Sequence, residues 1–191
     1  MIPVVILAAG ASLRLGRPKQ MEKLGGESLL ERSVRVAVEA QMGVVYVVVN
    51  AEDSVVIAEA RRLSCEVVLN REAAEGMASS VRAGVGALEG TADGMLVMTC
   101  DQPAVSPAHL RNLAAEGAGE VVASAYDGRR GVPAYFPSAM FGRLMELRGD
   151  AGARELLQDA RAVALEEGET DVDSEEDLER ARAVFGSDRS L

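Results

Sequence analysis

The residue types best suited to chemistry are concentrated near the start of the chain. Residues 7–20 read LAAGASLRLGRPKQ. Ala8, Ala9, Gly10, Ala11 and Ser12 carry little or no side chain, so backbone N–H groups there can approach a bound anion closely. Arg14 and Lys19 follow, the first a planar fork suited to bidentate phosphate contact and the second a compact point charge. The stretch is neither a GxxxxGK[ST] phosphate loop nor a GxGxxG dinucleotide fingerprint. The charge distribution supports an anion site nonetheless. The chain holds 20 basic and 30 acidic residues, a net charge of −10, yet its only two lysines, Lys19 and Lys23, lie beside Arg14 and Arg17. A preference for arginine explains the scarcity of lysine but not its clustering, which an anionic ligand would explain. The same acidic balance excludes a general nucleic-acid binder, which needs a basic face.

A second candidate is Asp101 in MTCDQP, directly after an apolar run. Mg²⁺ prefers one or two carboxylates completed by phosphate oxygens and water, and a strand-end Asp is a suitable ligand; as a structural residue it would instead cap a helix or form a turn. Asp171 or Asp173 could supply the second carboxylate, since alternate positions of an extended segment share a face. Asp177 is placed to support the start of the last helix. In EGMASSVRAG, Gly76 is followed by Met77, Ala78, Ser79 and Ser80, which open a helix whose N-terminus could bind a ligand; alternatively Ser79 or Ser80 caps it. His109 stands alone and reads as a surface residue without a role. Cys65 and Cys100 form no CxxC and read as buried small hydrophobes, and the methionines read as core filler.

These residues need a frame. Residues 3–8, 44–49, 66–69, 95–100 and 120–125 are apolar, β-branched runs that read as buried strands of a parallel sheet, with a short strand at 134–136. Between them Leu30, Val34, Ala37 and Val38 recur at helical spacing, as do Val56, Ala60 and Leu63. Ser106-Pro107 and Ser174 with Asp177 mark helix starts. The alternation predicts a single domain over 1–191 with a three-layer, Rossmann-like α/β fold, mostly parallel, its last residues, 186–191, frayed. Ligands of such sheets bind beyond the carboxyl ends of the strands, which selects 9–20, 50, 70–80, 101–103 and 127–133. With 48% hydrophobic residues, no run long enough to span a bilayer and no basic n-region before the apolar start, a cytoplasmic protein is expected.

LAAGASLRLGRPKQ, EGMASSVRAG, CDQP, GVPAYF, GDAGAR and DVDSEEDL follow one another as in the molybdenum-cofactor cytidylyltransferases, MobA-like members of the nucleotidyltransferase superfamily. The resemblance covers nearly the whole chain and implies a nucleotide-diphospho-sugar transferase (GT-A-like) sheet. It implies that Leu7, Ala8, Ala9, Gly10, Ser12, Arg14, Lys19 and Ser80 contact the nucleotide, with Arg14, Lys19 and Asp101 catalytic. Mg²⁺ would lie on Asp101 and Asp171, with Asp173 as substitute. An acceptor would contact Gly76, Met77, Ser79, Ser80, Gly131, Pro133, Asp150 and Arg154. LAAG, where the guanylyl branch has LAGG, resembles the cytidylyl branch; the extra methyl is worth about 1–3 kcal/mol of discrimination at most. CDQP stands where many members have GDMP.

The implied reaction moves CMP from CTP to molybdopterin with release of pyrophosphate, followed by possible hand-off to a molybdoenzyme or its chaperone, with no membrane partner. No general base is required, because a phosphate monoester is largely ionised near neutral pH. Lys19, in a loop, is expected to be dispensable for stability. Guanylyl transfer, sugar-phosphate nucleotidyl transfer and a non-catalytic pterin chaperone are the alternatives; a redox Rossmann enzyme lacks its GxGxxG.

Overall fold

The computed structural model describes residues 1–88, 92–150 and 153–186. Consequently Ala151 and Gly152 of GDAGAR, and the chain end from 187 onward, lie outside the described residues.

Elements follow in the order β1 (Val4–Leu7), β2 (Lys23–Leu24), β3 (Glu27–Ser28), α1 (Leu29–Glu39), β4 (Val45–Asn50), α2 (Ser54–Ala60), β5 (Glu66–Asn70) and α3 (Met77–Gly86). Then come β6 (Gly94–Thr99), α4 (Pro107–Glu116), β7 (Val122–Tyr126), β8 (Arg129–Pro137), α5 (Phe141–Met145), α6 (Arg154–Leu157), β9 (Arg161–Ala164) and α7 (Glu175–Phe185). Seven strands form one sheet in the order β5-β4-β1-β6-β8-β7-β9, while β2 and β3 make a small hairpin.

The VVIL, VYVVVN and GMLVMT runs of β1, β4 and β6 are central because both their faces are apolar. Alternate side chains of β1 enter different cores. Val4 and Ile6 pack with Leu30, Val34 and Ala37 of α1, Val56 and Ala60 of α2, and Leu110 and Leu113 of α4. Val5 and Leu7 pack with Val81 of α3, Leu144 of α5 and Leu157 of α6. Helices on both faces complete the three layers of the expected α/β class. Each buried valine, leucine or isoleucine among them contributes about 1.5–3 kcal/mol. Both expected helix starts are found, Ser174 forming a capping box with Asp177 and Ser106 capping α4 with Pro107 at its first position, and Ser28 forms a further capping box with Glu31.

Several expectations need correction. The strand at 134–136 is the end of β8, nine residues long and antiparallel to both neighbours. Gly131 and Pro133 break its apolar pattern, which hid its first half. It separates β7 from β6, so residues 120–125 do not pair with the central strands directly. β9 was not anticipated because it is a mostly exposed edge strand that begins with Arg161. Val38 turns away from the core, α2 ends before Leu63, and Cys65 is only half-buried, whereas Cys100 is buried. Among the methionines, Met95 and Met98 are core residues, but Met77 and Met145 are exposed. Among the described residues no helix is long and apolar enough to cross a membrane.

His109 is the clearest reversal: it is buried, with Nε2 2.7 Å from Ser124 Oγ. Ser124 spends its one hydroxyl proton on the Pro133 carbonyl at 2.6 Å. Its oxygen therefore accepts from His109, so Nε2 carries the imidazole proton. The contact joins α4 to β7 and, through Ser124, to β8.

Two stability predictions follow from this packing. A Cβ on Gly84, in the last turn of α3, would stand 2.5 Å from Val5 Cγ1. Overpacking of a sheet-helix contact, about 1–3 kcal/mol, outweighs the gain in helix propensity of about 1 kcal/mol, so Gly84→Ala should lower the urea midpoint. A variant at or above the wild-type midpoint would refute that contact. For His109, burial lowers the folded-state pKa below the ordinary 6.5. The unfolded chain therefore takes up the proton first as pH falls. The stabilising contribution is complete above about pH 6.5 and is lost as pH falls through the folded-state value. Between pH 7.5 and 5, the wild-type midpoint should fall more steeply than that of His109→Gln; parallel slopes would refute the assignment.

Candidate active site

The parallel strands β1 and β6 end side by side, and the chain immediately beyond them builds the site. After β1, the Ala8 N–H continues the ladder to the Val48 carbonyl at 2.8 Å. Ser12 then turns the chain at φ +50°, its carbonyl accepting from the Gly16 N–H at 3.0 Å and its Oγ from the Lys19 N–H at 3.0 Å. These contacts return Lys19, at the start of a 3-10 turn spanning Lys19–Met21, to the end of β6.

There the Lys19 ammonium donates to Asp101 Oδ2 at 2.5 Å and to Asp173 Oδ1 at 2.6 Å. Its side chain is 13% exposed. Burial alone would lower its pKa, but the Asp101 charge and the hydrogen bonds to Asp101 and Asp173 outweigh that and hold the ammonium well above its ordinary range. These contacts give Lys19 a structural role, so its loss should cost stability, contrary to the expectation of little effect.

The C-terminal carboxylates are brought in by Val172, which is fully buried beside Leu15, Leu24, Leu29 and Leu178 and whose N–H donates to the Asp101 carbonyl at 3.0 Å. Asp171 and Asp173 flank it and both reach the site, but they are not equivalent. Asp173 pairs with Lys19 and, at 3.3 Å, with the exposed Arg14. Burial, helped by the Asp101 charge, pushes the Asp171 carboxyl up to about 7. Among the described residues, three buried side-chain atoms have no hydrogen-bond partner, namely Gln20 Oε1, Asp101 Oδ1 and Asp171 Oδ1.

Two cavities meet at this point. The first, about 580 Å³, is lined by Leu7, Ala8, Ala9, Gly10, Ser12, Arg14, Lys19 and Ser80, all the residues expected to hold the nucleotide, together with Ala11, Gln20, Ala73 and Ala74. The second, about 670 Å³, is lined by Gln102, Tyr126, Arg129, Arg130, Gly131, Val132, Ala153, Arg154 and Asp171. Lys19, Met77, Thr99, Asp101, Asp150 and Asp173 border both.

Of the residues expected around an acceptor, Met77, Gly131, Asp150 and Arg154 line the second cavity. Gly76 and Ser80 line the first instead, and Ser79 and Pro133 line neither. Ser79 and Ser80 accept from the buried Asn70 carboxamide at 2.8 and 3.0 Å, and Ser79 donates to the Gly76 carbonyl, so neither hydroxyl is a simple helix cap. Pro133 offers its carbonyl to Ser124. At Gly76, with φ +116°, a Cβ would fall 2.2 Å from Asp150 Oδ1, so only glycine allows the two cavity walls to meet there. Arg82 holds that junction by bridging Glu72, Glu75 and the Leu147 carbonyl.

Gln20, Gln102, Arg129 and Arg130 fall within the segments selected beyond the strand ends but were given no role there, and Tyr126 lies just outside them. Gln102 is buried; its Oε1 accepts from Thr99 Oγ1 and its Nε2 donates to the Tyr126 hydroxyl, both at 3.2 Å. The Tyr126 hydroxyl donates to the Val132 carbonyl at 3.1 Å, and the Arg129 guanidinium stacks 5.3 Å above the Tyr126 ring. A signal for the missed wall was available in Asp127-Gly128, whose φ values of +48° and +69° are those of a tight hairpin turn.

A cation fits the unpartnered carboxylate oxygens of Asp101 and Asp171. Among the described residues no group of three or more His, Cys, Asp or Glu could hold a metal. The pair therefore suits an ion that takes its remaining ligands from phosphate and water.

The sequence profile of the MobA-like NTP transferase domain matches residues 4–166. Purine catabolism protein PucB of Bacillus subtilis is 33% identical, over 95% of this chain and 96% of its own length. Nicotine blue oxidoreductase of Paenarthrobacter nicotinovorans is 32% identical, over 81% of this chain and 80% of its own. Rv0371c from Mycobacterium tuberculosis superposes with a TM-score of 0.80 at 30% identity, over 95% and 98% of the two chains, and has also been solved in complex with manganese. The loop beyond β1 and the cavities it borders are thus features of a chain that belongs to the MobA-like NTP transferase domain family of the nucleotidyltransferase superfamily.

Proposed function

We propose that the chain transfers CMP from CTP to the phosphate of molybdopterin, releasing pyrophosphate, with Mg²⁺ held by Asp101 and Asp171. The observation that carries the reading is the junction of two unlike cavities at Lys19, Asp101 and Asp173. One offers small residues and backbone amides to a nucleotide; the other offers Arg129, Arg130 and Arg154 to an anionic acceptor. The GMASS and GDAGAR resemblance supports a pterin as that acceptor, and LAAG supports CTP.

In this reading the first cavity holds the triphosphate and the second aims an acceptor phosphate oxygen at its α-phosphorus. A P–O bond forms there as the bond to the β-phosphate breaks. Lys19 and Arg14 neutralise the charge gathering on the departing pyrophosphate, and the arginines of the second cavity hold the attacking phosphate in place. Mg²⁺, when bound, supplies further neutralisation of the phosphate oxygens. Gln102 and Tyr126 fix the wall that carries Arg129. The acceptor is already ionised, so no residue needs to remove a proton.

Pyrophosphate release, measured across four NTPs with molybdopterin and sugar phosphates as acceptors, tests the proposal. CTP with molybdopterin should be the fastest pair. Absence of release with every NTP would overturn nucleotidyl transfer, and GTP in first place would overturn the base assignment. Lys19→Ala should reduce turnover about 10²–10³-fold. It should also lower stability by about 1–3 kcal/mol, because two carboxylates lose their donor. Asp101→Asn and Asp171→Asn should each raise the Mg²⁺ midpoint at least about tenfold, whereas Asp173→Asn should shift it less. An unchanged titration for Asp171→Asn would remove that residue from the metal site.

A further inference from the structure

We infer that Gln20 is a positioning residue that turns the backbone amides of the 9–11 loop toward the nucleotide, an inference resting on the assignment of the first cavity to the NTP. Gln20 lies in the turn immediately after Lys19 and is 2% exposed. Its Nε2 donates to the Ala8 carbonyl at 2.7 Å and to the Gly10 carbonyl at 3.1 Å. The reverse amide orientation would set an oxygen against both carbonyls, so the hydrogen bonding admits only this one.

In a trans peptide the N–H points opposite to the C=O. Drawing the carbonyls of Ala8 and Gly10 toward Gln20 therefore turns the N–H groups of Ala9 and Ala11 away from it. Neither N–H makes a hydrogen bond among the described residues, and both residues line the first cavity. One side chain thus sets the direction of two free donors in a loop whose own side chains, at Ala9, Gly10 and Ala11, are too small to set it.

The arrangement carries a penalty that a purely structural role would not require. Gln20 Oε1 is buried without a partner, which opposes folding to the same order as the two hydrogen bonds made by Nε2 favour it. An apolar side chain of similar length would fill the same space without the orphan acceptor. What it would lack is the hold on the two carbonyls.

The test compares wild type, Gln20→Met and Gln20→Glu by calorimetric titration with CTP and Mg²⁺, alongside urea unfolding without ligand. Gln20→Met should weaken CTP binding about tenfold, the equivalent of losing the geometry behind one or two hydrogen bonds, while its unfolding midpoint stays near wild type. Gln20→Glu, which sets an oxygen against both carbonyls, should bind more weakly still. If one variant fails to fold, the other decides. CTP affinity within twofold of wild type overturns the inference, and so does a loss that merely tracks a lowered midpoint. Wild type that binds no NTP would instead overturn the assignment of the cavity, and this inference with it.

Discussion

The bridge from Lys19 to Asp101 and Asp173 ties together chain segments 82 and 154 residues apart in sequence. It joins the loop after β1 to the end of β6 and to the segment before α7. A partly buried ammonium between two carboxylates is held by attraction and hydrogen bonds that outweigh its desolvation. Removing any one partner leaves charge where water cannot fully screen it. The bridge therefore needs a rigid frame, and Val172 supplies it by packing into a small apolar cluster and bonding to the Asp101 backbone. The polar site and the apolar cluster stabilise each other, since neither carboxylate would stay in place if Val172 moved.

The unpartnered oxygens carry a related argument. A protein interior normally satisfies its buried polar atoms. Here the unsatisfied side-chain atoms among the described residues belong to Gln20, Asp101 and Asp171, all beside the two cavities. Burial, with the Asp101 charge beside it, raises the Asp171 carboxyl toward neutrality. A cation would relieve both carboxylates. The glutamine oxygen, by contrast, faces no charge problem and is the other end of an amide committed to two carbonyls. The shared defect thus has two causes, one electrostatic and one conformational.

Much of this frame was legible in the amino-acid pattern because its physics is local. The runs at β1, β4 and β6 are apolar on both faces, so burial and strand identity are read together. The small residues of the 7–20 loop and its basic cluster likewise singled out the loop that borders the first cavity. What was lost depended on distant contacts. His109 has no partner nearby in sequence; its role comes from Ser124, fifteen residues away across a helix-strand contact. Gln20 shows nothing by its type, because its importance lies in which carbonyls it meets. Asp171 and Asp173 were indistinguishable by spacing; the ion pairs of Asp173 with Lys19 and Arg14 and the burial of Asp171 separate them. Arg129 and Arg130 lay in a segment selected at a strand end, but their wall depends on Asp127-Gly128 folding the strand back along the sheet.

That folding back explains how the sheet edge holds two cavities. A parallel strand delivers only its carboxyl end to the ligand edge, where β1 and β6 place the loop and Asp101. β8 runs antiparallel, pairing Gly94 with Pro137 and Val97 with Ala134, so its amino end reaches the same edge. The residues at that end are Arg129, Arg130, Gly131 and Val132, and they line the second cavity. One reversed strand therefore adds a basic wall opposite the nucleotide loop without disturbing the parallel core. Tyr126 then links that wall to Gln102, the residue following Asp101, so the second cavity's wall and the carboxylate are set by one connected group of side chains.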